Sequence, residues 1–415
     1  MSSNKVSMPN LKSNQAKALS GVKVLELAEW IAAPYCSRLL ADLGAEVIKI
    51  EKPGQGDETR NRGPFPGGVP HPEKSGLFIY LNTNKLGVTL DVKTATGQKI
   101  FLDLVRQADI LVEDNPPRLM KRLGLTFNKL KSLNPRLIMT SITPFGQTGP
   151  YKDYKAYPVN TFHSSGEGYF TPSRTEFAGR PPVNLGKNAA EYPVGIIAAG
   201  ITNIALRHAR KTGAGEHIDV SKQEALLFLN LAHFSTYLNK GVLPKRGDRG
   251  YNITRIYPCK DGHVLFYYHQ KREWQAMLDI IGNPDWGKEE ALANQTIAEE
   301  RAAEVIPLIS AGIKNRTKAE LFKEGRAKGC SLVPCSTVAD LMRSEHLKER
   351  KFFAETEHPD AGKLRLASAP YSLSQSPFGF DRAAPRLGEH NREIYVNRLG
   401  YSSRDLVTLR QAGVI

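Results

Sequence analysis

At 415 residues, with 40% hydrophobic and 24% charged side chains, the chain has the composition of a folded globular protein of roughly two or three domains, not of a disordered one. No apolar run approaches the ~18 residues of a membrane span, and the 4 cysteines, at 36, 259, 330 and 335, form neither a CxxC pair nor a metal-ligand spacing, which fits a reducing cytosol. The net charge of +15 is dispersed, without basic runs interleaved with aromatics or any nucleic-acid-binding signature, so it points to a small polyanion rather than to DNA or RNA.

Residues 1–20 are polar and lysine-bearing, lack the apolar core of a signal peptide, and read as a flexible tail. A short apolar strand is expected at 22–27, a helix at 33–43 ending at Gly44, and a second strand at 46–51 closed by Pro53-Gly54. The rhythm continues with a strand at 88–92, a helix at 97–107, and strands at 110–113 and 137–142. Strands alternating with helices of roughly ten residues predict a parallel sheet covered on both faces, with right-handed crossovers: an α/β, Rossmann-like open sheet.

Further on, the Ala-rich stretch 195–210 reads as a buried helix, broken at 211–215 before a strand at 217–220. Composition shifts near 245. Residues 257–268 predict a hairpin turning at Asp261-Gly262, followed by helices at 273–281 and 302–314. Residues 359–388 read as a long extended connection, ending in a short helix at 403–412. The expected domains are a tail (1–20), a large ligand-binding domain (21–225), a small α+β domain (226–335) and a return to the large domain (336–415).

Several chemistries lack their motif. Glu29-Trp-Ile-Ala-Ala-Pro34 follows the first strand where a dinucleotide fold would carry GxGxxG, which argues against NAD. A P-loop, GxSxG and HExxH are also missing, against ATPase, serine-hydrolase and zinc-peptidase readings.

What the chain does carry is an ordered series of segments. Leu43-Gly-Ala-Glu-Val-Ile-Lys-Ile-Glu-Lys-Pro53 is followed by Gly56-Asp57 and Arg60. Asn82-Thr-Asn-Lys85, Leu90-Asp-Val-Lys93, Ala108-Asp-Ile-Leu-Val-Glu113 and Arg122-Leu-Gly-Leu125 come next. Leu133-Asn-Pro-Arg-Leu-Ile138, Phe145-Gly-Gln-Thr-Gly-Pro150, Thr212-Gly-Ala-Gly-Glu-His-Ile-Asp-Val-Ser221 and Ala384-Pro-Arg-Leu-Gly-Glu-His390 complete the set. In this order they resemble the class III CoA-transferase family.

The resemblance implies a CoA-binding Rossmann-like large domain, a smaller α+β domain and an intertwined homodimer in the cytoplasm. It implies no permanently bound cofactor and no metal. Coenzyme A or acyl-CoA is the implied substrate, together with a carboxylic acid. The family's CoA contacts fall on Ile31, Ala32 and Lys52, on Leu90, Asp91, Val92 and Lys93, on Asp114, Asn115, Pro116 and Arg122, and on Lys155 and Tyr157. Among these, Lys52, Lys93 and Arg122 have the chemistry of phosphate partners, compact ammonium groups and a planar guanidinium fork.

In the resembling transferases an Asp within a Gly-Asp-x-x-x-Gly segment attacks the acyl-CoA. The matching segment here is Ala190-Glu-Tyr-Pro-Val-Gly195, so Glu191 stands where the Asp would be and Ala190 replaces the first glycine. The carboxylate suits nucleophilic catalysis on a side chain one methylene longer. Glu191 also has the duller reading of a carboxylate favoured at a helix start. Secondary candidates are Glu167, in a glycine-flanked turn suited to presenting a side chain, and His163, suited to acid–base work near neutral pH. Tyr157 and Pro158 occupy the place of the His-Asp pair of related racemases. Three functions stay open: CoA transfer through Glu191; racemisation, isomerisation or dehydration by proton abstraction at the α-carbon; and CoA binding without catalysis.

Overall fold

The apolar runs between residues 23 and 221 form strands buried on both faces, the sequence signature of a parallel sheet covered by helices on each side. The computed structural model describes residues 16–172, 179–229, 231–245, 253–268, 270–289 and 294–415. The expected tail lies outside the described residues up to residue 15, while Leu19 is buried and donates its N–H to the Leu43 carbonyl at 2.8 Å.

The chain divides into two compact units, 1–168 with 184–234 and 351–415, and 169–183 with 235–350. In the first, the order is β1 (Lys23–Leu27), α1 (Ala32–Asp42), β2 (Glu46–Glu51), α2 (Gly76–Asn82), β3 (Lys85–Thr89), α3 (Ala95–Val105) and β4 (Ile110–Glu113). Then follow α4 (Pro117–Arg122), α5 (Phe127–Leu133), β5 (Ile138–Thr143), α6 (Pro158–Ser164), α7 (Glu191–Thr212), β6 (His217–Ser221) and α8 (Lys222–Phe228), while α9 (Leu231–Lys240) begins in this unit and ends in the second. The strands form one six-stranded parallel sheet in the order β3-β2-β1-β4-β5-β6, so the α/β class with an open parallel sheet holds. Side chains alternate across it. Val24, Val47, Val112 and Ile142 pack with α1 and α7, whereas Leu25, Ile48, Leu111 and Met139 pack with α3, Met120 and Leu130.

Two boundaries moved for physical reasons. The third strand starts at Lys85, not at 88, because Lys85 is fully buried and its ammonium donates to Glu26 Oε2 at 2.6 Å, Pro34 O at 2.8 Å and Asn82 Oδ1 at 2.8 Å. On β2, Lys49 likewise donates to Glu26 Oε1 and Asp57 Oδ2, each at 2.7 Å. Burial works to raise the Glu26 carboxyl, yet the Lys49 and Lys85 ammonium groups outweigh it and hold Glu26 down at about 2. Every charge here is paired and hydrogen-bonded, the condition under which burying ions is tolerable. The helix expected at 195–210 begins earlier, at Glu191, and ends on the left-handed Gly213.

The second unit holds an antiparallel sheet of β7 (Arg255–Cys259), β8 (Gly262–Tyr267) and, after α10 (Lys271–Ile280), α11 (Gln295–Glu300), α12 (Ala302–Ile313) and α13 (Lys318–Lys328), β9 (Ser331–Pro334). The hairpin therefore turns at Lys260-Asp261, one residue before the expected position. Trp274, Met277, Tyr257 and Phe266 form its core, and α14 (Val338–Arg343) and α15 (Glu345–Glu349) close the unit.

Back in the first unit, β10 (Phe353–His358) and β11 (Gly362–Ala367) form an antiparallel hairpin where an extended connection was expected. The segment after it clasps the β3 edge of the sheet. Gly87 N–H donates to His390 Nδ1 at 3.0 Å, Thr89 N–H donates to Asn391 Oδ1 at 2.9 Å, and the Tyr395 hydroxyl donates to Thr89 O at 2.8 Å. Helix α16 (Ser403–Gln411) follows.

Candidate active site

In an open parallel sheet, ligands bind beyond the carboxyl ends of the strands where the strand order reverses. Here that point lies between β1 and β4. A cleft of about 510 Å³ opens there, walled by the loops after β1 (Leu27 to Trp30), β2 (Glu51 to Pro53), β3 (Leu90 to Lys93) and β4 (Asp114 to Pro116), with Leu119, Leu123 and Gly413.

Each loop is pinned. Trp30 takes a left-handed backbone, φ 69°, costly for a large side chain, while its N–H donates to Asp57 Oδ1 at 3.3 Å. Asp57, buried beside Lys49, also accepts from the Thr59 N–H at 2.8 Å, and Arg60 donates to both Glu51 oxygens at 2.7 and 2.8 Å. The Gly-Asp-x-x-Arg segment thus fixes the cleft wall. Asn115 Nδ2 donates to Leu27 O at 2.9 Å, and the Glu29 N–H donates to Asp114 Oδ2 at 3.2 Å. The Asp91 N–H donates to Val414 O at 2.8 Å. Gly97 lets α3 start tight against that turn: a Cβ there would lie 2.0 Å from Asp91 O.

Of the sequence-derived contacts, the cleft gathers Lys52, Leu90, Asp91, Val92, Lys93, Asp114, Asn115 and Pro116. Lys52 is half-exposed and pairs with Glu29 at 2.5 Å, and Lys93 is exposed. The remaining candidates lie outside this lining. Ile31 and Ala32 are buried at the start of α1, Arg122 is exposed on α4, and Lys155 places its ammonium 5.3 Å from the Tyr157 ring centroid on the exposed segment before α6.

Glu191 is the first residue of α7 and almost fully buried. Its position follows from Gly195, one turn on, where a Cβ would stand 2.7 Å from Ala32 O. That close approach sets α7 against the start of α1, beside the loop that carries Trp30. Tyr192 meets Tyr35 edge-on, ring centroids 5.0 Å apart. The Glu191 Oε2 accepts from Lys222 Nζ at 2.7 Å, with side-chain exposures of 2% and 13%. Burial pushes the cleft-lining Asp114 carboxyl well above its ordinary range, and the Lys222 charge opposes that. Lys222 therefore acts on both Glu191 and the cleft wall. Sequence reasoning missed it because the partner is 31 residues away and directly follows a strand motif without a signal of its own.

Behind Asp114, burial pushes Glu113 up to about 7, against hydrogen bonds from Ser141 and Asn115. The secondary candidates stand elsewhere. Glu167 and His163 do not line the cleft, and His163 crowds Gly168, whose missing Cβ would lie 2.1 Å from Nδ1. All 4 cysteines are unpaired, with Cys36 and Cys330 buried. No cluster of three or more His, Cys, Asp or Glu side chains capable of holding a metal occurs among the described residues.

A parallel-sheet cleft edged with ammonium groups and a buried carboxylate at a nearby helix start invites comparison with known acyl-transfer proteins. The family model for CoA-transferase family III matches residues 19–391. A succinyl-CoA–D-citramalate CoA-transferase of Chloroflexus aurantiacus is 31% identical over 406 residues, covering 96% of this chain and 98% of that one. A formyl-CoA:oxalate CoA-transferase of Streptomyces coelicolor is 30% identical, covering 96% and 100%. Among solved structures, a CaiB/BaiF family protein from Brucella suis superposes with a TM-score of 0.81 at 27% identity, covering 92% of this chain and 100% of that one. With matched segments spanning both walls of the cleft and the Glu191 helix alike, the chain belongs to CoA-transferase family III.

Proposed function

We propose that this protein moves coenzyme A from an acyl-CoA donor to a carboxylic acid acceptor, with Glu191 as the nucleophile. Family membership and relatives that are CoA-transferases support acyl-CoA transfer in general. The observation that carries the finer reading is the buried Glu191 carboxylate, held in an ion pair at the first turn of a 22-residue helix. The N-terminal end of that helix and the ammonium group beside it both complement a carboxylate placed there.

The steps balance without any proton transfer. A Glu191 oxygen attacks the thioester carbonyl, the C–S bond breaks, and the electron pair leaves as the CoA thiolate, giving a mixed anhydride. The thiolate then attacks the Glu191 side-chain carbonyl and releases the donor acid as a carboxylate. The acceptor carboxylate attacks the resulting glutamyl thioester, and the thiolate returns to the new acyl group, restoring Glu191. Lys52 and Lys93 at the cleft are suited to the pyrophosphate and 3′-phosphate of CoA, with Leu90 to Val92 and Asp114 to Pro116 around the nucleotide. Ile31, Ala32, Arg122, Lys155 and Tyr157 lie outside the cleft lining and are further CoA contacts in this reading.

The test is covalent capture. Incubation with acyl-CoA and hydroxylamine should leave a hydroxamate on the peptide carrying Glu191, and Glu191→Gln should lower turnover at least about 100-fold. Near-wild-type turnover of Glu191→Gln would remove it as nucleophile. Proton abstraction at the α-carbon is disfavoured because Tyr157 and Pro158 stand where related racemases carry a His-Asp pair. Deuterium wash-in without CoA exchange would reinstate it.

The same proposal includes a homodimer, a cytoplasmic setting, and the division at 225 and 335 between CoA-binding, small and returning segments. Exposed Ile196 and Ile204 on α7, with Phe228 at 74% and Leu229 at 52%, support self-association. Unpaired cysteines support a reducing compartment. No helix among the described residues is long and apolar enough to cross a membrane.

A further inference from the structure

We infer that Lys222 is the positioning residue of this reaction: its ammonium fixes the direction in which the Glu191 carboxylate points, and its positive charge stays in place as the negative charge leaves Glu191. The inference rests on Glu191 being the nucleophile.

The geometry starts from two helix beginnings. Ser221 caps α8 by accepting the Glu224 N–H at 3.3 Å, which places Lys222 in its first turn. Glu191 opens α7, and the two side chains meet at 2.7 Å with little exposure. A buried carboxylate is tolerated only with a partner beside it, and a single short ion pair holds such a nucleophile in one orientation. Among the described residues Lys222 engages Oε2 alone, leaving Oε1 to attack.

The charge sequence explains why a permanent cation fits. When Oε1 attacks the acyl carbon and the C–S bond breaks, the electron pair goes to sulfur and Glu191 becomes neutral. Lys222 then loses its charged partner as a thiolate is released from the carbon that Oε1 has attacked. When the thiolate adds to the glutamyl carbonyl, the charge passes to the departing carboxylate. No step needs a proton, so the cation must hold its own throughout. The other ionisable groups that bear on this pair are Asp114, with Glu113 and Glu29 beside it; Asp114 is driven by burial away from the charged form and so competes weakly for Lys222.

The experiment compares the full chain with Lys222→Met and Lys222→Arg. Formyl-, acetyl- and succinyl-CoA serve as donors, hydroxylamine capture on Glu191 is read by mass spectrometry, and thermal melting confirms folding. Lys222→Met should slow capture about 100-fold with the Michaelis constant for the thioester changed less than about threefold. Lys222→Arg should recover to within about tenfold.

If Glu191 is captured but Lys222→Met keeps the wild-type rate, the positioning role falls and the nucleophile stands. If Lys222→Arg melts like wild type yet is as slow as Lys222→Met, charge is not the cause and the inference is overturned. If wild type leaves no mark on Glu191 with any of the three thioesters, both readings fall together.

Discussion

Lys93 follows β3 on an exposed turn whose backbone is fixed by the Asp91 side chain, which accepts the Lys93 N–H at 2.9 Å. The turn is rigid while the ammonium is free to swing, a suitable arrangement for one phosphate. Lys93→Ala should therefore raise the Michaelis constant for CoA about tenfold while turnover changes less than about twofold, measured by steady-state kinetics. An unchanged constant would remove Lys93 from the phosphate set. Glu113 makes a different prediction. Burial pushes it from an ordinary 4.5 up to about 7, so the folded chain binds its proton more tightly than the unfolded chain. That contribution to stability is full below about pH 4.5 and is lost as pH rises through about 7. Glu113→Gln keeps an acceptor for the Asn115 N–H, found at 2.8 Å, and should melt higher than wild type at pH 8 but not at pH 4.5. A melting difference independent of pH would show that the carboxyl is not neutral in the fold. At this scale the sequence was partly legible: Glu191 and Lys93 stood in recognisable segments, whereas Lys222 and the strained Trp30 became visible through contacts between distant positions.

The start of α7 is set by a glycine rather than by a cap, since the Ala190 side chain makes no capping hydrogen bond. Gly195 lets two helices touch backbone to side chain, with Ala32 O and Tyr35 filling the space of its absent Cβ. Gly195→Ala should cost about 1–3 kcal/mol of stability by forcing that contact apart. It should also cut turnover more than CoA affinity, because Glu191 moves with the helix; equal turnover in a melted-down variant would uncouple the two. Helix and strand periodicity predicted most elements of the parallel sheet, since buried strands read as apolar runs. The β10–β11 hairpin escaped because its strands, Phe353–His358 and Gly362–Ala367, are largely polar and partly exposed. Its support is cross-strand, with Glu355 opposite Arg365 and Glu357 opposite Lys363, and such pairing cannot be seen along one strand. The early start of β3 escaped for a related reason: a lysine at a strand's first position reads as solvent-facing until Glu26 is placed beside it.

Across the whole molecule, the family's ordered segments divide into two physical roles. Some line the cleft, and others hold the framework: Lys49, Lys85, Asp57 and Arg60 are all fully or almost fully buried in ion pairs. A motif match alone does not separate these roles, because both demand the same residue at the same place. The Leu387-Gly-Glu-His390 segment belongs with the second group. Its imidazole, with Asn391 and Tyr395, occupies the hydrogen-bonding groups along the outer border of β3, across a sequence separation of 302 residues for the Thr89–Asn391 bond. An unoccupied border of this kind is a template for pairing with another chain. A chain stopped after residue 380 should consequently self-associate into sheet-rich particles, seen by light scattering, and a 381–415 peptide added in trans should return it to solution. A fragment that stays monodisperse by itself would contradict this. The distal segment thus acts as a stopper on its own sheet, so that strands laid down before residue 222 have their outer border closed only by residues near the other end of the chain.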